Sequence, residues 1–121
     1  MRRREIGVLG EKIARDFLLK KGYAVIARNY RCPYGEIDII ARDGDYLVFV
    51  EVKTRTSPGL GHPEESVTAA KRAKLRQVAL HYLQNNDDSP ADWRIDVVAI
   101  ELDHQARPER ISLIKDAVWE E

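Results

Sequence analysis

Apolar residues recur at two different periods along this chain. From residue 5 to 21 the spacing is helical: Ile6, Leu9, Ile13 and Phe17 fall on one side, and Gly22 follows as a suitable stop. Tyr23 to Tyr30, YAVIARNY, reads as a first strand, followed by a loop from Arg31 to Gly35. Gly35 to Arg55, GEIDIIARDGDYLVFVEVKTR, reads as two strands, with β-branched and aromatic residues in both arms and Asp43-Gly44-Asp45 as the break. In the second arm Val48, Val50 and Val52 line one face while Leu47 and Phe49 begin the other. A strand that is apolar on both sides belongs at the centre of a sheet. Thr54 to Pro63 reads as a loop holding His62, and Glu64 to Asn85 as a long helix with Val67, Leu75, Val78 and Tyr82 on its stripe. Trp93 to Glu101 predicts a fourth strand and Arg110 to Ile114 a short last one, with Trp119 pinning the acidic tail.

The predicted order is αβββαβ plus one short strand, an α/β core with a mixed central sheet flanked by helices. The first three strands are expected to be mostly antiparallel. The long helix then crosses over to bring the fourth strand beside the third, right-handed if parallel. No linker or repeat interrupts the chain, so residues 1–121 are expected to form one domain.

The hairpin carries charges that such a pattern does not need. Residues two apart in a strand share a face, so Glu51 and Lys53 lie with Leu47 and Phe49, and Asp38 lies with Glu36, Ile40 and Arg42. With a two-residue loop at Asp43-Gly44, Asp38 is the diagonal neighbour of Glu51; with a loop from Asp43 to Tyr46, Asp38 lies directly opposite it. Either register gathers Asp38, Glu51 and Lys53 on one face. A simple three-residue loop would separate them unless a bulge restored the parity. The structural reading of this set is a surface ion-pair ladder. Charge on a central strand, however, is costly unless it is paired or metal-bound. The chemical reading is therefore a divalent-cation site, since Mg²⁺ takes one or two carboxylates and leaves room for water and phosphate. A lysine beside it can orient water and offset charge on phosphorus.

Other residues extend the picture. Glu11 shares a helix side with Gly7, Ala14 and Leu18 and is either a third carboxylate aimed at the site or a boundary residue paired with Arg15. Lys71 falls four before Leu75 and either snorkels or reaches a phosphate near Lys53; Lys74 reads as snorkelling. Arg94 and Asp96 read as an ion pair at a strand entrance. The overall charge is zero, yet residues 1–76 carry 16 Lys/Arg against 10 Asp/Glu, or +6, and residues 77–121 carry 4 against 10, or −6. The hairpin thus lies in a basic region, which suits a polyanionic substrate. With 44% hydrophobic and 33% charged residues the composition is that of a globular protein, not a disordered one. No apolar run is long enough for a bilayer, and no signal core follows the basic start MRRREIG. Cys32 is a single cysteine, and His62, His81 and His104 are scattered without cysteine partners, so a zinc motif is absent. A cytoplasmic location without membrane attachment is expected.

Taken together, the D…E-x-K pattern and the element order resemble the PD-(D/E)XK nucleases, which include restriction endonucleases and archaeal Holliday junction resolvases. The stretches GEKIARDFLLKKGY, ARNYRCPYGEIDIIARD, VFVEVKTR, GHPEESV followed by Lys71, and RIDVVAI resemble the YraN-like family of small bacterial endonuclease-like proteins over nearly the whole chain. Ile37 stands where the superfamily name has a proline, a common departure. The resemblance implies a restriction-endonuclease-like core and a metal-dependent nuclease hydrolysing phosphodiester bonds in DNA, branched or single-stranded forms included. It implies Asp38, Glu51 and Glu11 as ligands of Mg²⁺ or Mn²⁺, Lys53 as the residue that positions water or stabilises the phosphate, and Arg28, Arg55 and Lys71 as grips on backbone phosphates. It also implies a homodimer, since small nucleases often need two copies to span a duplex. A non-catalytic nucleic-acid-binding module with the same fold, or a protein whose carboxylates only tie the fold together, is the alternative, because fold does not establish activity.

Overall fold

The computed structural model of the chain describes residues 2–56, 67–86 and 92–117. These form α1 (Arg3–Lys20), β1 (Ala24–Cys32), β2 (Gly35–Asp43), β3 (Tyr46–Arg55), α2 (Ala69–Asn85), β4 (Asp92–Leu102) and β5 (Pro108–Ile114). The sheet order is β1-β2-β3-β4-β5, parallel at β3–β4 and antiparallel elsewhere. This is the expected αβββαβ arrangement with β3 in the middle and β5 added at an edge.

Each face of the sheet has its own core. Ala14 and Leu18 of α1 pack with Ile39, Ala41, Val48, Val50 and Val98. Leu75, Val78 and Ala79 of α2 pack with Ile40, Leu47, Phe49 and Ile95 on the other side. The double apolar pattern of β3 is thus explained by a helix on each face. Phe49 anchors the α2 side, edge-on to Tyr82 at 5.6 Å and to Trp93 at 5.9 Å. Among the described residues no helix is long and apolar enough to cross a membrane.

Several boundaries differ from the sequence reading for local reasons. The hairpin has the second of the two registers, with Arg42 opposite Leu47. One more pair, Asp43 with Tyr46, closes the loop to Gly44-Asp45. Gly44 has a φ of 60°, the left-handed geometry that such short loops need. Thr54 and Arg55 extend β3 instead of beginning a loop, and the β1–β2 loop is only Pro33-Tyr34. Helix α2 begins at Ala69 rather than near Glu64, because the Thr68 side chain caps it, accepting the Lys71 N–H at 3.2 Å. Val67 therefore precedes the helix. His62, the GHPEES stretch and Trp119 lie outside the described residues.

Helix α1 sits very close to β3. A Cβ at Gly10 would collide with the Thr54 hydroxyl, and the Thr54 Cβ, which rotation of that side chain does not move, lies at 3.0 Å from that position. Alanine is worth about 1 kcal/mol more than glycine within a helix, but overpacking costs about 1–3 kcal/mol. We expect Gly10→Ala to lower the melting temperature; a rise would show that helix propensity outweighs the contact.

At the hairpin end of the sheet, Arg94 and Asp96 form the expected pair, enlarged into a network. Asp96 is fully buried and accepts from the Tyr23 hydroxyl at 3.0 Å, Arg94 Nε at 3.0 Å and the Asp116 N–H at 2.9 Å. Arg94 Nη2 also donates to Asp43 at 2.6 Å and to the Tyr23 hydroxyl at 2.8 Å. The Arg94 guanidinium beside Asp43 holds that carboxyl below its usual range. Its contribution is therefore present above the ordinary aspartate pKa and fades in acid. Burial and the Asp96 charge push the Tyr23 phenol up to about 12. Arg94→Met would strand Asp96 without its cation, and urea unfolding is expected to show a loss of about 3–5 kcal/mol. A loss under about 1 kcal/mol, typical of exposed pairs, would mean that the network contributes little.

Candidate active site

The site lies where β2 and β3 part. Their pairing runs from Asp43–Tyr46 down to Ile39–Val50 and stops. Asp38 and Glu51 are the next two residues. The alternation of β2 also inverts here: Ile37 and Ile40 both pack on the α2 side, while Ile39 and Ala41 pack on the α1 side. Neighbouring β1 does the same, with Ala27 and Tyr30 both against the α2-side core. Between the pairs Arg28–Ile39 and Tyr30–Ile37 stand Asn29 and Asp38, and Asn29 has a φ of 54°. Left-handed backbone is uncommon outside glycine, and asparagine is among the residues that tolerate it. This inversion turns Asp38 inward at the strand end. Its Oδ2 accepts the Val52 N–H at 2.7 Å, taking a backbone donor just past the last ladder pair.

Asp38 and Glu51 stand side by side, and Asp38 is pushed up to about 8 by burial first, then by its carboxyl neighbour Glu51. Two adjacent carboxyls cannot both ionise cheaply, so one of them keeps a proton. Glu51 is only 7% exposed. Lys71 Nζ lies 3.7 Å from Glu51 Oε2. Burial pulls Lys53 down and the neighbouring Lys71 ammonium adds to it, against the opposing pull of Glu51 and Asp38. Burial also works against Lys71, but its neighbours Lys53, Glu51 and Asp38 outweigh it and leave it raised. The structure thus gathers Asp38, Glu51, Lys53 and Lys71 into one electrostatic unit.

Two cavities open from this unit. One, of about 270 Å³ on the α1 side, is lined by Arg3, Ile6, Gly7, Glu11, Asp38, Val52, Lys53 and Thr54. The other, of about 140 Å³ on the α2 side, is lined by Tyr34, Gly35, Glu36, Glu51, Lys71, Lys74, Leu75 and Val78. Glu11 therefore faces the same cavity as Asp38, where Asn29 Nδ2 lies 3.4 Å from its Oε1. Among the described residues, no three His, Cys, Asp or Glu side chains converge as a metal-holding group. Arg28 is exposed on β1, and Arg55 is at the end of β3, two residues beyond Lys53; neither lines these cavities. Sequence reasoning missed Arg3, Asn29, Thr54 and Tyr34. The first could have been found by placing the basic start, MRRR, at the N-terminus of a helix that also carries Glu11. The others depend on the strand inversion and the short β1–β2 loop, which no periodicity announces.

The raised Asp38 carboxyl has a measurable consequence in chelator-treated protein. Folded Asp38, at about 8, keeps a proton that the unfolded chain has lost above its ordinary value of 3.8. Its contribution to stability is full below about pH 4 and is lost as the pH climbs to about 8. Asp38→Asn cannot ionise and keeps an acceptor for the Val52 N–H. Its advantage in melting temperature over wild type is expected to grow steadily from pH 5 to pH 8. Parallel melting curves across that range would mean that Asp38 ionises like an exposed aspartate.

Comparison with known proteins adds the family. The profile of the family described as "Uncharacterised protein family UPF0102" matches residues 10–100. A UPF0102 protein of Moorella thermoacetica is 46% identical over 117 residues, which cover 97% of this chain and 98% of that one. One of Caldicellulosiruptor saccharolyticus is 43% identical over 117 residues, with 97% and 99% covered. A third, of Beutenbergia cavernae, is 52% identical over 95 residues, with 78% and 80% covered. The residues matched by the family profile contain Glu11, Asp38, Glu51, Lys53 and Lys71, and the likeness to the Moorella and Caldicellulosiruptor proteins covers nearly the whole chain. The chain belongs to the UPF0102 family, the YraN-like group whose motifs it carries.

Proposed function

We propose that this chain is a nuclease of the PD-(D/E)XK type, using a divalent cation to hydrolyse phosphodiester bonds in DNA. The observation that carries the reading is the juxtaposition of Asp38 and Glu51, two partly or wholly buried carboxyls beside Lys53 where β2 and β3 part. Asp96 is paired with the Arg94 guanidinium at 3.0 Å, whereas Asp38 meets the Val52 N–H and the neighbouring Glu51, and Lys71 stands 3.7 Å from Glu51. Asp38 and Glu51 thus face each other, an arrangement that a divalent cation relieves by replacing the proton that one of them keeps.

The residues fit such an ion. Asp38 and Glu51 would hold Mg²⁺ or Mn²⁺, with Glu11 across the same cavity and the remaining positions left to water and substrate oxygens, as Mg²⁺ prefers. Bound there, the ion supplies an acidified water and a Lewis acid for a phosphoryl oxygen. Lys53 is drawn down by burial and by Lys71, so its Nζ is suited to taking a proton from water or returning one. Lys71 holds its charge and would oppose the growing negative charge on a phosphate. Arg3 adds a second cation at the α1-side cavity. The absence of a third gathered carboxylate among the described residues favours a second reading, a nucleic-acid-binding module that has kept the fold without the activity.

The test is titration calorimetry of Mg²⁺ and Mn²⁺ into wild type, Glu51→Ala and Lys53→Ala, with cleavage of linear, single-stranded and four-way-junction DNA on the same samples. Wild type is expected to bind and cut, and Glu51→Ala to do neither. Lys53→Ala is expected to bind with cleavage reduced by about 10²-fold or more. A cation at 100 times its Kd should also stabilise wild type by about 2.7 kcal/mol. Cation binding without cutting of any substrate would favour the binding module, and absence of cation binding would overturn both the metal site and the nuclease.

A further inference from the structure

The α2-side cavity contains an aromatic ring that hydrolysis does not need. Tyr34 lies in the two-residue β1–β2 loop and is 51% exposed. Its ring is nonetheless held. It meets the His81 ring edge-on at 5.9 Å, and His81 Nδ1 is hydrogen-bonded to the Tyr30 hydroxyl at 2.6 Å. Tyr30 in turn packs edge-on against Tyr82 at 5.2 Å, and Tyr82 against the buried Phe49. A chain of ring contacts therefore runs from the core to an exposed tyrosine. Gly35, next in sequence, has a φ of 142°, which side-chain-bearing residues rarely adopt. A Cβ there would lie 3.4 Å from Val78 of α2. The loop is thus fixed against the helix, and the ring with it.

The ring's neighbours are charged in a definite pattern. Lys71 and Lys74 line the same cavity, one helical turn apart on α2. Glu36 is met by Arg31 at 3.2 Å and Glu51 by Lys71 at 3.7 Å. A held aromatic face with lysines beside it, adjoining the carboxyl pair, suits a flat base carried on a phosphate chain. Bases inside a continuous duplex already stack on both faces and cannot offer one to a tyrosine.

We infer that Tyr34 is the stacking platform for one unpaired base next to the cleavage position, with Lys71 and Lys74 on the flanking phosphates. The chain therefore selects nucleic acid with unpaired nucleotides over continuous duplex. This inference rests on the reading of Asp38 and Glu51 as a phosphodiester-cleaving pair and names its substrate class.

The test is fluorescence anisotropy with a labelled oligothymidylate and with a blunt duplex of equal length, Ca²⁺ replacing Mg²⁺ to suppress cutting. Tyr34→Ala is expected to weaken oligothymidylate binding by about 5- to 100-fold, the effect of one lost base stack. Tyr34→Phe should restore it, and duplex affinity should not change in either variant. Tyr34→Trp provides an independent readout: its emission should be quenched by oligothymidylate and not by duplex. It also decides the matter should Tyr34→Ala fold poorly. Unchanged oligothymidylate binding by Tyr34→Ala, an equal loss on duplex, or failure of the phenylalanine to rescue would overturn the stacking role alone. Wild type that binds neither probe would overturn the nucleic-acid reading itself.

Discussion

A carboxylate inside a sheet must find a partner or keep its proton, because removal from water penalises the ionised form. That constraint falls on β3 at the point where β2 leaves it. The strand is covered by α1 on one face and α2 on the other, so Glu51 is buried by its position in the middle of the fold. The fold accommodates it by parting the strands. Once β2 leaves β3 after Ile39 and Val50, Asp38 can turn inward, the Val52 amide becomes available, and Lys71 can reach over from α2. The cavities follow from the same parting, since each lies beside one member of the carboxyl pair.

The protein buries acids on two neighbouring strands, Glu51 on β3 and Asp96 on β4, and treats them differently. Asp96 accepts from a phenol, a guanidinium and a backbone amide, and its cation is itself bound to a second aspartate. That is a charge whose hydrogen-bonding needs are met inside the fold, and it holds β4 to the hairpin and to the residues after β5. Asp38 has the Val52 amide and a second carboxyl instead. The carboxyl pair is thus not resolved within the fold as Asp96 is, and perturbed carboxyls of this kind cluster at functional sites. The comparison within one molecule is stronger than either site alone, because sheet, solvent and chain are the same.

Much of this was legible in the sequence because it depends on period and sign. Alternation in Leu47–Val52 identified β3 as central, and of the registers the Gly44 turn allowed, the one found is one of the two that bring Asp38 beside Glu51. The Arg94–Asp96 pair was readable from spacing of two in a strand. What escaped depends on breaks in period. Strict alternation puts Asp38 on the Ile40 face, whereas the inversion at Asn29 and Asp38 sets it between the faces, toward Glu11. Asparagine in a strand hints at such a break but does not locate it. Thr68 was hidden in another way: the acidic pair before it resembles a first helical turn, and only the cap geometry moves the start to Ala69. Tyr34 looked like loop filler because its supports, His81 and Tyr30, come from other elements.

The layout also constrains how a strand could lie. On the proposed reading the reacting phosphate sits over the ends of β2 and β3, where Asp38 and Glu51 meet. The chain on either side of it must then pass through chemically unlike surroundings. Toward α1 it meets Arg3, Lys53 and Glu11 with no described ring lining that cavity, which suits phosphate and sugar. Toward α2 it meets Tyr34 with Lys71 and Lys74, which suits a base as well. A duplex presents much the same exterior in both directions, whereas a strand that leaves the helix on one side of the cut does not. The asymmetry arises because β3 is covered by two different helices, one beginning in arginines and one docked under an aromatic loop. On that reading, a polarity of binding would follow from placing the carboxyl pair between two unlike layers.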